Sequence, residues 1–120
     1  MKIIRFWFPA VLYSGIIFYV SSIPNLKAPL SGLQFDKIYH CLEYTVFGYL
    51  IHRAIRLTSP NMVIKVSLAA VVAISFFYGL SDEWHQSFVL GRSSSLADAI
   101  ADTIGGTMGA LIYSKVYRLN

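Results

Sequence analysis

The stretch from Ser81 to Asp98, SDEWHQSFVLGRSSSLAD, gathers Asp82, Glu83, His85, Gln86, Arg92 and Asp98 directly after an apolar run that ends at Leu80. Carboxylates beside an imidazole and a guanidinium are the groups of general acid–base work and of ion capture. A second set stands upstream. Asp36, His40, Glu43 and Tyr44 recur at i, i+4, i+7 and i+8, which places them on one stripe of a helix. A third lies downstream, where Asp98 and Asp102 share a helix face. The candidates for proton transfer are therefore His40, Glu43, Asp82, Glu83, Asp98 and Asp102. In low-dielectric surroundings several carboxylates cannot all stay ionised without a cation, hydrogen bonds or a shared proton. Lys37, His40, His85 and Arg92 are the available counter-groups.

Plainer roles compete for each of these groups. Asp36 ahead of the second helix, and Asp98 and Asp102 near the start of the fourth, also suit helix caps or partners of the helix dipole. His40 suits a hydrogen-bonded core histidine as well as a ligand. Glu83 and His85 are neighbours in sequence, but i and i+2 point to different faces of a helix. Arg92 fits either an exposed loop charge or a clamp on an anionic headgroup or pyrophosphate. A histidine with carboxylates has the donors for a divalent cation. The chain carries no HExxH, no Cys/His spacing and no EF-hand pattern, so no cofactor is expected and a divalent cation stays the open alternative.

The elements that must position these groups are oily. The 120-residue chain is 56% hydrophobic and only 13% charged, which points to a membrane protein rather than a soluble domain. Its net charge of +4 comes from scattered Lys and Arg without an aromatic–basic stripe, so no nucleic-acid partner is expected. Cys41 is the single cysteine and can form no internal disulfide. Phe6 to Ile23 carries no charge and would be roughly 27 Å long as a helix, close to the hydrocarbon thickness of a bilayer. A signal peptide is the competing reading of this segment, but no A-x-A-like site follows it. Met62 to Leu80 has Lys65 as its only charge, near its start, where the side chain can snorkel to the headgroups.

Two weaker segments, Ile38 to Leu57 and Leu96 to Val116, carry their acidic residues and His40 in their first turns. In lipid every backbone group must be satisfied within a helix or a closed barrel, and these runs are too long for barrel strands. The expectation is an all-α, polytopic integral membrane protein: one domain over residues 1–120, folded as a four-helix transmembrane bundle with helices at about 6–23, 38–57, 62–83 and 96–116. Pro24, Pro29, Ser31 and Gly32 mark the first loop, and the short linker Thr58 to Asn61 makes helices two and three an antiparallel hairpin. Gly105, Gly106 and Gly109 supply a GxxxG face for close helix packing.

Orientation follows from the basic residues. Lys2, Arg5, Arg53, Arg56, Lys65, Lys115 and Arg118 fall on one side of the four segments, and Lys27, Lys37 and Arg92 on the other. The positive-inside rule then places both termini in the cytoplasm and the polar cluster at the outer mouth of the bundle. His52, Arg53 and Arg56 fit an inner-surface anchor, and Trp7, Tyr113 and Tyr117 an interfacial belt.

Two signatures resemble the VanZ-like family. Asp36 to Gly48, DKIYHCLEYTVFG, is similar to that family's D-K-x-x-H-x-x-x-Y-x-x-x-G. Asp82 to Gly109 is similar to its D-E-x-x-Q-x-F-x-x-x-R followed by paired acidic or amide residues and G-x-x-x-G. Carried over position by position, the resemblance implies a ligand-binding set of Asp36, Lys37, His40, Tyr44, Asp82, Glu83, Gln86, Arg92, Asp98 and Asp102. Asp102 departs from the pattern, standing where many members carry asparagine, and Leu90 precedes Gly91 where proline is common. The family takes its name from a protein associated with low-level teicoplanin resistance. Membership implies a multi-pass protein of the bacterial cytoplasmic membrane with an antibiotic-resistance or wider cell-envelope role.

Three classes of function remain open at this level. The first is a binder of a lipid-linked envelope precursor or a lipoglycopeptide-related ligand at the outer leaflet, and the residues favour it. The second is a small membrane hydrolase or transferase acting on lipid-linked phosphate, with a carboxylate or His40 as general base and Arg92 facing developing phosphate charge. The third is a structural bundle or proton-linked carrier. No G-x-S-x-G or C-x-x-C nucleophile motif separates them, and the oligomeric state is not written in the sequence.

Overall fold

The computed structural model describes residues 1–26 and 33–118; Lys27, Pro29, Ser31 and Gly32 of the expected loop lie outside the described residues. Four helices and no strand occur among the described residues: α1 (Lys2–Ser21), α2 (Leu33–Thr58), α3 (Ile64–Gln86) and α4 (Leu96–Arg118). The helices are longer than the apolar runs alone predict. α2 begins at Leu33, so Asp36 sits inside its first turn rather than ahead of it, where a carboxylate still meets the positive end of the helix dipole. α3 continues past Leu80 to Gln86, keeping Asp82, Glu83 and Gln86 in helical register. Ser95 caps α4, its Oγ accepting the Asp98 N–H at 3.1 Å. Asp98 is thereby released from the capping role its position suggested.

Cross-helix contacts fix the directions. His40 meets Asp102 at one end of α2 and α4, and His52 meets Ser114 at the other, so these two helices run parallel. α3 runs against both, with Glu83 near His40 and Ser67 near His52. α1 runs against α2, since Trp7 donates to Thr58 Oγ1 at 3.0 Å and Tyr13 to the Glu43 carbonyl at 3.1 Å. It runs parallel to α3, where Tyr78 donates to the Ser14 carbonyl and Ser22 Oγ lies 2.8 Å from His85 Nε2.

Small residues set the closest approach. A Cβ on Gly48 would collide with the backbone of Gly106, one on Gly105 with the Cys41 carbonyl, and one on Gly109 with the Thr45 carbonyl. The expected glycine face of α4 is thus a backbone-to-backbone seam against α2, completed by Gly48 from the other side. Gly106 also turns toward Ser75 of α3. Inside the bundle the seam continues through Ser67, Val71, Ser75 and Ala110, all completely buried.

Many large aliphatic and aromatic side chains face outward, while Ile17, Tyr44, Phe47, Ile51 and Ile55 pack a buried apolar core. Ile4, Phe8, Val11, Phe77, Ile104 and Leu111 are all exposed. α1 and α3 are long and apolar enough to cross a membrane, and only 11% and 22% of their apolar windows are buried within the bundle. A soluble core helix would bury most of such a window, because water penalises exposed apolar area by about 25 cal/mol per Å2. Tyr113, expected at an interfacial belt, is instead buried against His52 and Tyr49, whereas its stacking partner Tyr117 is exposed.

Candidate functional site

The N-terminal turns of α2 and α4 and the C-terminal turns of α3 meet at one end of the bundle. α2 and α4 each contribute ionisable groups at four-residue spacing and α3 contributes the adjacent Asp82 and Glu83, and the glycine seam holds the three backbones close enough for those groups to touch. His40 Nδ1 lies 2.9 Å from Asp102 Oδ1 and 3.8 Å from Glu83 Oε1. Gln86 donates from Nε2 to Asp82 Oδ2 at 3.1 Å, linking successive turns of α3. The Ser95 N–H donates to Glu83 Oε2 at 2.8 Å, tying the end of α3 to the start of α4. Lys37 Nζ reaches Asp98 Oδ1 at 3.4 Å.

Burial here is unusual for charged residues. Asp82, Glu83, Asp98 and Asp102 are between 0% and 5% exposed, and His40 is 7% exposed. Carboxylates are almost never so buried without paired partners, because desolvation costs several kcal/mol per ion. Among the described residues, no Lys or Arg nitrogen comes within 4.0 Å of Asp82, Glu83 or Asp102. Asp82 Oδ1, Glu83 Oε1, Asp102 Oδ2 and the Tyr44 hydroxyl are all buried without a hydrogen-bond partner. Gly79 makes room for Asp102: a Cβ there would stand 2.9 Å from Asp102 Oδ2.

The residues marked by the sequence divide into three groups. His40, Asp82, Glu83, Gln86, Asp98 and Asp102 are buried at this end of the bundle, with Tyr44 one turn deeper. Asp36, Lys37 and Arg92 are partly exposed around them, and the Arg92 guanidinium makes no ion pair among the described residues. Glu43 is partly buried, and its side chain likewise takes part in no ion pair or hydrogen bond there. His85 leaves the group altogether, stacking on Phe18 at 4.3 Å and bonding Ser22 of α1. The difference between Glu83 and His85 follows from their i, i+2 spacing: one faces α2 and α4, the other α1.

Sequence reasoning missed a second polar group at the opposite end. His52, expected as a surface anchor, is completely buried. Its Nδ1 lies 2.8 Å from the Ala110 carbonyl and its Nε2 3.0 Å from Ser67 Oγ. The signal was present as ladders of small or polar residues at every fourth position: His40, Tyr44, Gly48 and His52 on α2; Ser67, Val71, Ser75 and Gly79 on α3; Asp98, Asp102, Gly106, Ala110 and Ser114 on α4.

A four-helix bundle with small and polar residues along its closest seam, an aliphatic and aromatic core beside them, many large apolar side chains outside and a buried histidine–carboxylate group at one end defines the class: a small all-helical protein with two helices suited to crossing a membrane. The family model VanZ/LLP1 matches residues 3–118, nearly the whole chain, and the protein belongs to that family. It is therefore a VanZ-like protein, related to proteins of glycopeptide resistance. No curated protein and no solved structure matches the chain.

Proposed function

We propose that this VanZ-like protein is a four-span protein of the bacterial cytoplasmic membrane, with both termini in the cytoplasm, whose polar end opens at the outer face and binds an anionic, lipid-linked envelope ligand. The observation that carries the reading is the gathering of buried ionisable side chains from three helices at a single end, with several of their oxygens unpartnered. A polar group that only holds helices together satisfies its own hydrogen bonds. One with unpaired acceptors is arranged for something that arrives.

The physical division of the site supports that role. Lys37 and Arg92 are partly exposed at its margin, where a phosphate or pyrophosphate can meet them without first being desolvated. The carboxylates lie behind them, where they favour hydroxyl or ammonium groups of a head and disfavour a bare anion. Trp84, Phe88 and Leu90 are highly exposed around the same end, and aromatic side chains of this kind suit the headgroup level of a bilayer.

Two measurements test the proposal. In a Cys41→Ser background, a cysteine at exposed Ser93 should react with a membrane-impermeant thiol reagent in intact cells, and one at exposed Asn61 should not. Labelling at Asn61 alone would reverse the orientation. Native mass spectrometry of the purified protein should find a lipid-linked phosphate species retained by the wild type and lost in Arg92→Ala. Equal retention by both would remove the binding role from this end of the bundle.

A further inference from the structure

A buried carboxylate oxygen is stable only when a donor or a cation faces it, and the polar end leaves specific oxygens without either. Glu83 is the clearest case. The Ser95 N–H holds its Oε2 at 2.8 Å, which fixes the carboxylate and leaves Oε1, itself without a hydrogen bond, 3.8 Å from His40 Nδ1. Asp102 approaches the same nitrogen from α4, with Oδ1 at 2.9 Å and Oδ2 unpartnered. One donor atom from each of three helices thus falls within 4.8 Å of the other two. Ligand atoms each about 2.0–2.2 Å from a shared ion stand at most about 4.4 Å apart. The nitrogen–oxygen separations already lie inside that limit.

We propose that His40, Glu83 and Asp102 form a binding site for a divalent transition-metal ion of the Zn2+ or Mn2+ type. An imidazole nitrogen among the ligands favours such ions over Ca2+ and Mg2+, which prefer oxygen throughout. The charge of the ion supplies what the nearby Lys and Arg do not, a cation in contact with both buried carboxylates. Ser95 is the orienting partner, acting on Glu83 as outer hydrogen bonds act on ligating carboxylates generally. Three protein ligands leave a coordination position open, the arrangement of sites that exchange ligands rather than of closed structural ones. Uptake of the ion by the protein alone does not depend on the envelope ligand proposed above.

A competing set shares His40. Asp36, His40 and Asp98 also place donor atoms within 4.8 Å of one another. Lys37 argues against it, because its ammonium sits 3.4 Å from Asp98 Oδ1 and would repel an incoming cation. Asp36 is moreover only partly buried, so water already serves its carboxylate.

The test uses the full-length protein without a histidine tag, purified in detergent, stripped with a chelator and titrated with Zn2+ and with Mn2+. Calorimetry and elemental analysis should find about one ion per chain retained through gel filtration, with Glu83→Gln and Asp102→Asn each weakening uptake about tenfold or more and Asp36→Asn leaving it nearly unchanged. X-ray absorption of the zinc-loaded wild type should give one imidazole among oxygen ligands, a readout that stands even if a variant misfolds. No stoichiometric uptake would overturn the site, as would sulfur or two imidazoles in the coordination shell. Sensitivity to Asp36→Asn without sensitivity to Glu83→Gln would move the ion to the competing set, and retention of Ca2+ or Mg2+ alone would refute the assigned ion class.

Discussion

The two ends of the bundle are built from the same kinds of residue and differ in whether the group around the histidine is satisfied, Arg56 Nε being the buried atom without a partner near His52 among the described residues. At the His52 end, both ring nitrogens have partners, Ala110 and Ser67, and Ser114 closes the group by donating to the Ala110 carbonyl. At the His40 end, three carboxylates and a tyrosine hydroxyl keep unpartnered atoms although they are equally buried. A completed network stiffens a core and specifies its packing, whereas an incomplete one lowers stability until something binds. The contrast supports a packing role for the first, between α2, α3 and α4, and the proposed binding role for the second.

The most damaging change should be one that destroys both ends at once. Gly48→Val drives a branched side chain into the backbone of Gly106 and separates α2 from α4, with a loss of about 3 kcal/mol, the upper part of the range for overpacked cores. The thermal midpoint in detergent and the level of membrane-inserted protein should both fall. A variant of normal stability would mean that the seam is not the closest contact of the bundle.

His52→Leu probes the satisfied end alone. It removes the hydrogen bonds to Ala110, Ser67 and Ser114 and the edge contact with Tyr113, costing about 2 kcal/mol, while metal uptake and ligand retention per folded molecule stay unchanged. A selective loss of binding with unaltered stability would erase the distinction between the ends.

Asp102→Asn probes the unsatisfied end. It keeps the side-chain volume and an acceptor for His40, exchanging a charge-assisted hydrogen bond for a neutral one, so the change in unfolding free energy should be about 1 kcal/mol. Any envelope or glycopeptide-susceptibility phenotype should nevertheless disappear with protein levels intact. Loss of the protein itself would make this end structural too.

Lys37→Ala should have the smallest effect on stability. Its side chain is 40% exposed, and a partly exposed ion pair of this kind contributes at most about 1 kcal/mol, less as salt is added. Its removal should weaken ligand retention in a salt-dependent way. A salt-independent effect would place Lys37 deeper in the chemistry than its exposure allows.

Much of this contrast was legible beforehand at the polar end and hardly at all at the other. The stripe of Asp36, His40 and Tyr44 and the pair Asp98 and Asp102 could be read because helix spacing alone puts them on shared faces. Asp82 and Gln86 depended on α3 continuing past its apolar run, which it does. His52 was misplaced because Arg53 and Arg56 beside it suggested a surface, although it lies on the same four-residue ladder as Tyr44 and Gly48. Tyr113 was misplaced for a similar reason, since an aromatic near a helix end suits either an interface or a packed seam.

By itself the sequence determined the helical segments, the polar and small-residue ladders along them and the family signatures, because each rests on spacing within one stretch of chain. The tertiary structure decided that α2 and α4 run parallel, that Glu83 turns inward while His85 turns to α1, and which carboxylate oxygens remain unpaired. Those outcomes depend on the offset and rotation of one helix against another, which are set where glycine backbones touch and cannot be computed from the periodicity of either helix alone.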